Sequence, residues 1–210
     1  MSRGLNRTRI LEAATAHIDA HGPESLTMRG LGSQLGVEAM ALYRHVPGKD
    51  HLLAAVVDRL VDDVLDDPRI TAGSDSWEEY LHTVGTAMRD LEAAHPRTFS
   101  LVATRPPEVS WLRPPLRSIR WVEHFLSTLV AHGCSPRHAV RAYREFTSFL
   151  LGHLLLDAAS REGETFPEEI APADHPTVAE LQDLLHADHA AREFDEGLDA
   201  LIEHLRVAGA

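Results

Sequence analysis

The segment from Glu38 to Arg44 has the side chains with the most specific chemistry in this chain. At helical spacing, Ala39, Met40, Tyr43 and Arg44 face away from the apolar positions that lie among them. Methyl, aromatic and guanidinium groups on one exposed helix face can enter the major groove of DNA and meet base edges and phosphates. The alternative is a small helical hairpin whose turn falls here by coincidence.

Two short helices and a tight turn would present that face. Thr27 is typical of a helix N-cap, and Leu26 and Leu31 have the spacing of a hydrophobic staple around it. Gly36 can adopt the positive φ that ends a helix, and Gly32 is a small residue where a second helix must cross closely. The apolar side chains expected to face inward are Leu31, Leu35, Val37 and Leu42. This pattern predicts a helix-turn-helix.

The sequence VEAMALYRHVPGKDHLL resembles the recognition helix and following helix start of the tetracycline-repressor (TetR) family of transcription regulators. Its most specific part is the Tyr43-Arg44-His45-Val46 run with Lys49 after it. The DNA contacts that the resemblance implies are Ala39 and Met40 at the groove floor near thymine methyl groups, Tyr43, His45 and Lys49 on phosphates, Arg44 on a phosphate or a guanine edge, Arg29 on a base edge or phosphate, and Thr27 on the DNA backbone.

The charge distribution agrees with DNA binding near the N-terminus. The net charge is −12, but residues 1–50 hold six Lys and Arg against five Asp and Glu, whereas the remaining residues hold fourteen against twenty-seven. Attraction to phosphate is therefore local, and the acidic charge lies elsewhere. We interpret most of the acidic side chains as an ordinary solvated surface. The alternative is that they form a surface for interaction with another protein.

Several classes of protein do not fit the sequence. It has neither a long apolar run nor an apolar segment after the N-terminal arginines, so we expect no membrane association and a cytoplasmic protein. The single Cys134 fits a reducing compartment. No nucleophile–base pair of recognised spacing is present, so we expect no enzyme. Histidine pairs such as His17 and His21 lack a third ligand, so we expect no metal site and no cofactor.

Helical periodicity without any alternating strand pattern predicts an all-α fold. We expect a helix-turn-helix head at residues 1–49, a connector helix at 50–67 and a ligand-binding and dimerisation body at 68–210. The predicted helices are Asn6–His21, a connector capped by Asp50, Trp77–Ala94, Leu116–His132, Pro136–Ser160, Val178–Ala187 and Glu193–Val207. Residues 161–177, which are acidic and rich in proline, are predicted to form a mobile loop.

The body also resembles the ligand-binding domain of the tetracycline-repressor branch, through AAHPRTFSLVATRPP, AHGCSPRHAVRAYREFTSFLLGHLL and FDEGLDALIEHL in that order. The resemblance implies a bound small molecule. The side chains expected to line its site are Trp77, Leu81, Val84, Met88, Phe99, Leu101, Trp121, Phe125, Phe146, Phe149 and His153. Each of them could instead belong to the core, and His82 and His124 are further candidates for a polar anchor.

One departure from that branch bears on the effector. The tetracycline repressor holds a magnesium–drug chelate with histidines, a glutamate and amides. The matching positions here are Leu65, Val84, Leu101, Phe125 and Leu156. Because Mg²⁺ requires oxygen ligands, we expect an apolar, metal-free effector rather than tetracycline.

These expectations combine into one hypothesis, a repressor released from its operator by a small apolar effector. Because one module makes few contacts, we expect a homodimer on a pseudo-palindromic double-stranded operator, with half-sites about 34–36 Å or a multiple apart. The dimer interface would be a four-helix bundle of the Pro136 and Glu193 helices, although their apolar faces could also complete a monomer core. The alternative function is a helical small-molecule-binding protein or enzyme that has lost DNA binding.

Overall fold

In the computed structural model, which describes residues 4–104, 118–162, 175–186 and 189–209, every extended regular element is helical. The all-α prediction is therefore confirmed. The helices are α1 (Arg7–His21), α2 (Met28–Leu35), α3 (Ala39–Tyr43), α4 (Lys49–Leu65), α5 (Pro68–Thr71), α6 (Trp77–Ala94), α7 (Pro96–Phe99), α8 (Leu101–Thr104), α9 (Ile119–Ala131), α10 (Pro136–Glu162), α11 (Pro176–His186) and α12 (Ala190–Gly209). A short 3₁₀ turn, Pro23–Ser25, joins α1 to α2.

The head consists of α1, α2 and α3 around a small apolar core. Asn6 caps α1, because its side chain accepts a hydrogen bond from the Arg9 N–H at 2.8 Å. The buried side chains that join the three helices are Ile10, Leu11, Ala14, Ile18, Leu26, Leu31, Leu42 and Val46. This core fixes α3 relative to the rest of the head.

The connector helix α4 begins at Lys49, so the prediction that Asp50 caps it is wrong. Gly48 occupies the N-cap position with extended backbone. Asp50 lies in the first turn, where its negative charge stabilises the helix N-terminus. The helix ends at Leu65. One face of α4 packs on α1 in the head, and the helix also contacts α6 and α9 in the body.

The body is built on α6, α9, α10 and α12, with α10 in contact with the other three. The prediction that the α9 helix starts at Leu116 is wrong, because Ser118 is its N-cap and the helix starts at Ile119. The Ser118 hydroxyl oxygen accepts a hydrogen bond from the Trp121 N–H at 3.3 Å and donates its own proton to Asp62 at 2.6 Å. A contact to the connector helix therefore fixes where α9 begins.

The predicted loop at 161–177 is too long at both ends. Helix α10 continues to Glu162, and α11 begins at Pro176, two residues before the predicted start. The prediction of mobility falls mainly on residues 163–174, which lie outside the described residues. Helix α12 is also longer than predicted, from Ala190 to Gly209. In the described part of the chain no helix combines the length and hydropathy needed to cross a bilayer.

Candidate DNA-binding and effector sites

The turn that presents α3 is built as the sequence predicts. The Thr27 hydroxyl oxygen accepts the Gly30 N–H at 3.0 Å, and Leu26 and Leu31 are both fully buried beside it. Gly36 adopts the left-handed conformation at φ 71° and ψ 31°. A side chain on Gly32 would place its Cβ only 2.9 Å from the Val37 carbonyl oxygen. Only glycine therefore allows the start of α3 to approach α2 this closely.

The outer face of α3 is open to solvent. Met40 is 73% exposed and Tyr43 44% exposed, and the side chains of Arg44 and His45 are exposed beside them. Leu42 points the other way and is fully buried. Such exposure of large side chains on a rigid turn is typical of a binding surface rather than of a helix that completes a core.

The remaining residues predicted to contact DNA differ in their exposure and in their hydrogen bonds. Arg29 is exposed on α2, whereas Ala39 is half-buried at the start of α3. Thr27 uses its oxygen as the helix cap, and its O–H remains able to donate. The Lys49 ammonium donates to the Glu24 carbonyl oxygen at 3.4 Å, which ties the start of α4 to the 3₁₀ turn. The DNA-binding roles of these residues stay predictions.

A polar junction between head and body was not predicted from the sequence. The Asp19 carboxylate at the end of α1 accepts the Thr98 hydroxyl at 2.6 Å and lies 2.7 Å from the His95 Nδ1. The Arg97 guanidinium donates to the Ala20 carbonyl oxygen at 2.9 Å. The last turn of α1 is therefore held directly by α7. No local pattern indicates these contacts, because at least 76 residues separate the partners.

The predicted effector-lining side chains fall into groups that do not all meet. Phe125 lies at the centre of one aromatic cluster, with its ring 5.5 Å from Phe146, 5.5 Å from Tyr143 and 5.7 Å from Tyr80. The members that are closed into the core, each at most 6% exposed, are Leu81, Val84, Met88, Phe99, Leu101, Trp121, Phe125 and Phe146. Tyr80 and Tyr143 belong to this cluster but not to the predicted effector-lining set.

Three predicted members are only partly buried. Phe149 and His153 are half-buried on α10 and pack against Phe194 of α12, with ring distances of 5.4 Å and 6.0 Å. Trp77 packs against His138, at 5.8 Å between ring centroids. The buried members of the predicted set therefore belong to one hydrophobic core, and Trp77 and Phe149 pack against it as partly buried side chains. Their roles in effector binding stay predictions.

Two cavities in the described part of the chain have a predicted effector-lining residue in their walls. A cavity of 930 Å³ runs between the ends of α6 and α10 and the start of α12, and its lining includes Arg89, His153, Asp157 and Phe194. A second, of 560 Å³, lies between head and body, where Leu101 meets Lys49 and Glu24. Both are lined by polar as well as apolar groups.

The apolar side chains at the positions that match magnesium–drug ligands are mostly buried. Leu65, Val84, Leu101 and Phe125 are buried, and Leu156 is 70% exposed on α10. Within the described chain, no three His, Cys, Asp or Glu side chains come together as a metal site. The metal-free effector stays a prediction that this environment favours.

Polar groups inside the aromatic cluster differ in their partners. The Tyr80 hydroxyl lies 2.9 Å from His124 Nδ1, and burial lowers the pKa of His124 below its ordinary value. The Tyr143 hydroxyl and Trp121 Nε1 are buried without a hydrogen-bond partner among the described residues. Burial raises the pKa of Tyr143 to about 12, so its hydroxyl stays protonated at neutral pH.

Two segments of the chain match known protein families. Residues 10–56 match the family of bacterial regulatory proteins called tetR, and residues 70–208 match the tetracycline repressor-like C-terminal domain. The class D tetracycline repressor of Escherichia coli is 27% identical over 97% of this chain and 90% of its own length. An HTH-type transcriptional repressor of Mycobacterium tuberculosis is 29% identical over 86% of this chain and 72% of its own length.

A solved structure supports the same assignment. The TetR protein of Acinetobacter baumannii AYE superposes with a TM-score of 0.73 at 25% identity, covering 98% of this chain and 99% of its own. These matches favour a regulator over a helical protein that has lost DNA binding. The chain belongs to the tetracycline-repressor family of transcription regulators and is a ligand-responsive DNA-binding repressor, not an enzyme.

Proposed function

We propose that this repressor acts as a cytoplasmic homodimer that holds a pseudo-palindromic operator and releases it when a small apolar effector binds in the body. The proposal rests on one observation, that a connector helix joins an exposed face in the head to an apolar core in the body. An exposed reading face on α3 is fixed by Gly32 and Gly36, and the connector helix α4 joins it to an apolar aromatic core.

The proposed DNA contacts are those that the family resemblance implies. Met40 and Ala39 contact thymine methyl groups, while Tyr43, His45 and Lys49 bind phosphates. Arg44 and Arg29 reach phosphates or base edges from opposite ends of the motif, and Thr27 contacts the DNA backbone. Because few of these groups are cationic, one head binds weakly, and useful affinity requires two heads on one operator.

Exposed apolar side chains support the proposed dimer. Leu156 on α10 is 70% exposed and Val207 on α12 is 67% exposed, while Leu184 and Leu185 on α11 are 72% and 70% exposed. Large apolar side chains that remain exposed on these helices favour surfaces that are covered in solution. A second copy covers such faces on both partners at once, because a two-fold interface is self-complementary.

The path of the signal in this proposal runs through two contacts to the head. Helix α9 is tied to α4 by the hydrogen bond from Ser118 to Asp62 and by the ion pair of Arg120 with Asp66 at 2.8 Å. Helix α7 is tied to α1 through Asp19. A body that repacks around an effector therefore moves both attachments of the head and changes the spacing of the two recognition helices.

The effector must discriminate between the two conformers to do this. Moving a two-state equilibrium from 1:99 to 99:1 requires a preference of about 5.5 kcal/mol for the releasing conformer. The class D relative is named a tetracycline repressor, but the apolar side chains at Leu65, Val84 and Leu101 favour a different, metal-free molecule here.

A gel shift with DNA upstream of the protein's own gene tests the proposal. We expect salt-sensitive, sequence-specific binding, and a loss of roughly tenfold to a hundredfold in affinity for the Tyr43→Ala, Arg44→Ala double variant. The matched control is Tyr43→Phe, Arg44→Lys, which keeps the ring and the charge and retains part of the affinity. Unchanged affinity in the alanine variant would sink the DNA-binding assignment. Sedimentation as a monomer at micromolar concentration would remove the dimer mechanism.

A further inference from the structure

The first half of α10 carries a basic stripe on an otherwise acidic body. Residues 51–210 together hold fourteen Lys and Arg against twenty-seven Asp and Glu, but the first three turns of α10 have three arginines, Arg137, Arg141 and Arg144, against the single carboxylate of Glu145. The three arginines are exposed, and their spacing of four and three residues places them on one helix face. The stripe is separate from the predicted DNA contacts, all of which lie in the head.

Only one of the three arginines is paired within the protomer. Arg141 donates to Glu145 at 2.7 Å and to His204 of α12 at 2.9 Å. Arg137 and Arg144 form no ion pair with any described residue. A surface cavity of 630 Å³ lies along the stripe, and its lining residues all belong to α10. No second element of the described protomer therefore covers these two charges.

An acidic stripe lies on the outward face of α12. The side chains of Glu196 and Glu203 are 71% and 59% exposed, and their partners are Arg192 and Arg206 of the same helix, at 3.6 Å and 2.8 Å. Exposed ion pairs of this kind contribute little stability, because water and salt screen the charges. Both carboxylates therefore remain available to arginines of another molecule.

The basic and acidic stripes lie on neighbouring helices that run in opposite directions. His204, near the end of α12, contacts Arg141 near the start of α10. Phe194, near the start of α12, contacts Phe149 further along α10. The two helices are therefore antiparallel, and a seam runs between their outward faces.

The spacing of the charges matches between the two stripes. Arg137 and Arg144 are seven residues apart, as are Glu196 and Glu203, so each pair spans two helical turns, about 10.5 Å. A two-fold axis along the seam lays α10 of one copy over α12 of the other, in antiparallel directions. A pair of arginines then meets a pair of carboxylates, and the symmetry forms this contact twice.

We propose that two copies of this chain recognise each other by charge, with Arg137 and Arg144 of each copy paired to Glu196 and Glu203 of the other. The inference rests on the proposed function, because it concerns the homodimer proposed there. Exposed apolar side chains supply attraction without selecting a partner, whereas matched charges reject a chain whose helices carry other charges. The stripes therefore determine which chain of this fold can share the dimer.

An exchange of charge between two variants tests this recognition. One variant carries Arg137→Glu and Arg144→Glu, and the other carries Glu196→Arg and Glu203→Arg. Each alone should dimerise at least about a hundredfold more weakly than the wild type, because like charges then face each other. Their equimolar mixture should form a heterodimer within about tenfold of the wild-type affinity, because opposite charges face each other again. Sedimentation velocity measures the affinities, and native mass spectrometry identifies the heterodimer.

Matched controls reverse exposed charges outside the stripes. Arg7→Glu on α1 and Glu123→Arg on α9 should leave the affinity of the dimer unchanged. Arg137→Gln and Arg144→Gln together remove charge without reversing it and should weaken the dimer by roughly tenfold. Because all of these side chains are exposed, circular dichroism should show the helix content of the wild type in every variant.

The outcomes separate this inference from the proposed function. Two reversed variants that dimerise as tightly as the wild type would overturn the inference and leave the homodimer standing. Two weakened variants that form no heterodimer when mixed would also overturn it. A wild-type monomer at micromolar concentration would refute the homodimer itself, and the inference with it. If Arg137→Glu, Arg144→Glu remains a dimer but loses a binding of polyglutamate that the wild type shows, the arginines bind an acidic partner and the inference is wrong.

Discussion

The two surfaces assigned to ligands in this repressor are built in opposite ways. The reading face of α3 is open, with Met40 73% exposed, and the turn beneath it is fixed by Gly32 and Gly36. The aromatic cluster in the body is closed, with Phe125 and Phe146 fully buried. The proposed DNA surface can therefore bind without rearrangement, whereas the proposed effector site must first open.

This difference explains how one chain can respond to a ligand. A preformed surface binds its ligand without a conformational change of its own. A closed site lowers the apparent affinity of its ligand by the fraction of molecules that are open, and it couples binding to movement of the helices that close it. The side chains that close the cluster lie on α6, α9 and α10, and α6 and α9 contact the connector helix.

Truncation of one residue on each surface tests this contrast most directly. Phe125→Ala should lower the free energy of unfolding by about 3–5 kcal/mol, because the lost ring leaves a cavity among three aromatic neighbours. Met40→Ala should change it by less than about 0.5 kcal/mol, because the side chain is 73% exposed, while still weakening operator binding.

Urea unfolding at equal protein concentration provides the measurement, since the stability of a dimer depends on concentration. If the two variants lose the same stability, then either the body cluster is already open or α3 packs into a core. Either result would remove the contrast between the two surfaces.

The junction between the surfaces gives a smaller expected effect. Asp19→Ala should cost about 1–3 kcal/mol of stability, because the fully buried Thr98 hydroxyl loses its acceptor. Asp19→Asn keeps an acceptor and should cost less. A matched surface pair is provided by Asp199, which lies 3.4 Å from His82 and is 71% exposed. Asp199→Ala should therefore change stability by less than about 0.5 kcal/mol.

The same variants test whether α7 transmits position to the head. With α1 released from α7, the gel shift should show weaker operator binding for Asp19→Ala than for Asp199→Ala, although neither residue belongs to the predicted DNA contacts. Equal operator affinity in these two variants would mean that α4 alone positions the head.

Local rules predicted the head well and the body incompletely. Thr27, Gly32 and Gly36 act on neighbours within a few residues, so their roles follow from sequence spacing. The start of α9 was misplaced because Ser118 is held by Asp62, which lies 56 residues earlier in the chain. The contacts of Asp19 with His95 and Thr98 have no sequence signal for the same reason.

Periodicity identified which body residues are buried but not which of them meet. Phe125 and Phe146 share a cluster, whereas Phe149 lies on the same helix as Phe146 and packs against Phe194. A helical repeat assigns a side chain to a face, and the partner on that face depends on how distant helices pack. The unpaired Tyr143 hydroxyl was likewise invisible, because the sequence shows a donor without showing its surroundings.

The smallest expected effect is a pH dependence of the free energy of unfolding that arises from His124 in the body. Burial lowers the pKa of His124 below its ordinary value of 6.5, with a further contribution from the charge of Arg120. As the pH falls through that value, the unfolded chain binds a proton before the folded chain does, so the free energy of unfolding decreases toward acid pH.

His124→Gln removes this titration. The difference in melting temperature between wild type and variant should therefore shrink or reverse between about pH 7.5 and about pH 5.5, in favour of the variant. Contributions that the two proteins share cancel in this difference. A constant difference across the range would show that His124 titrates equally in both states, and the cluster would then be wetter than its burial indicates.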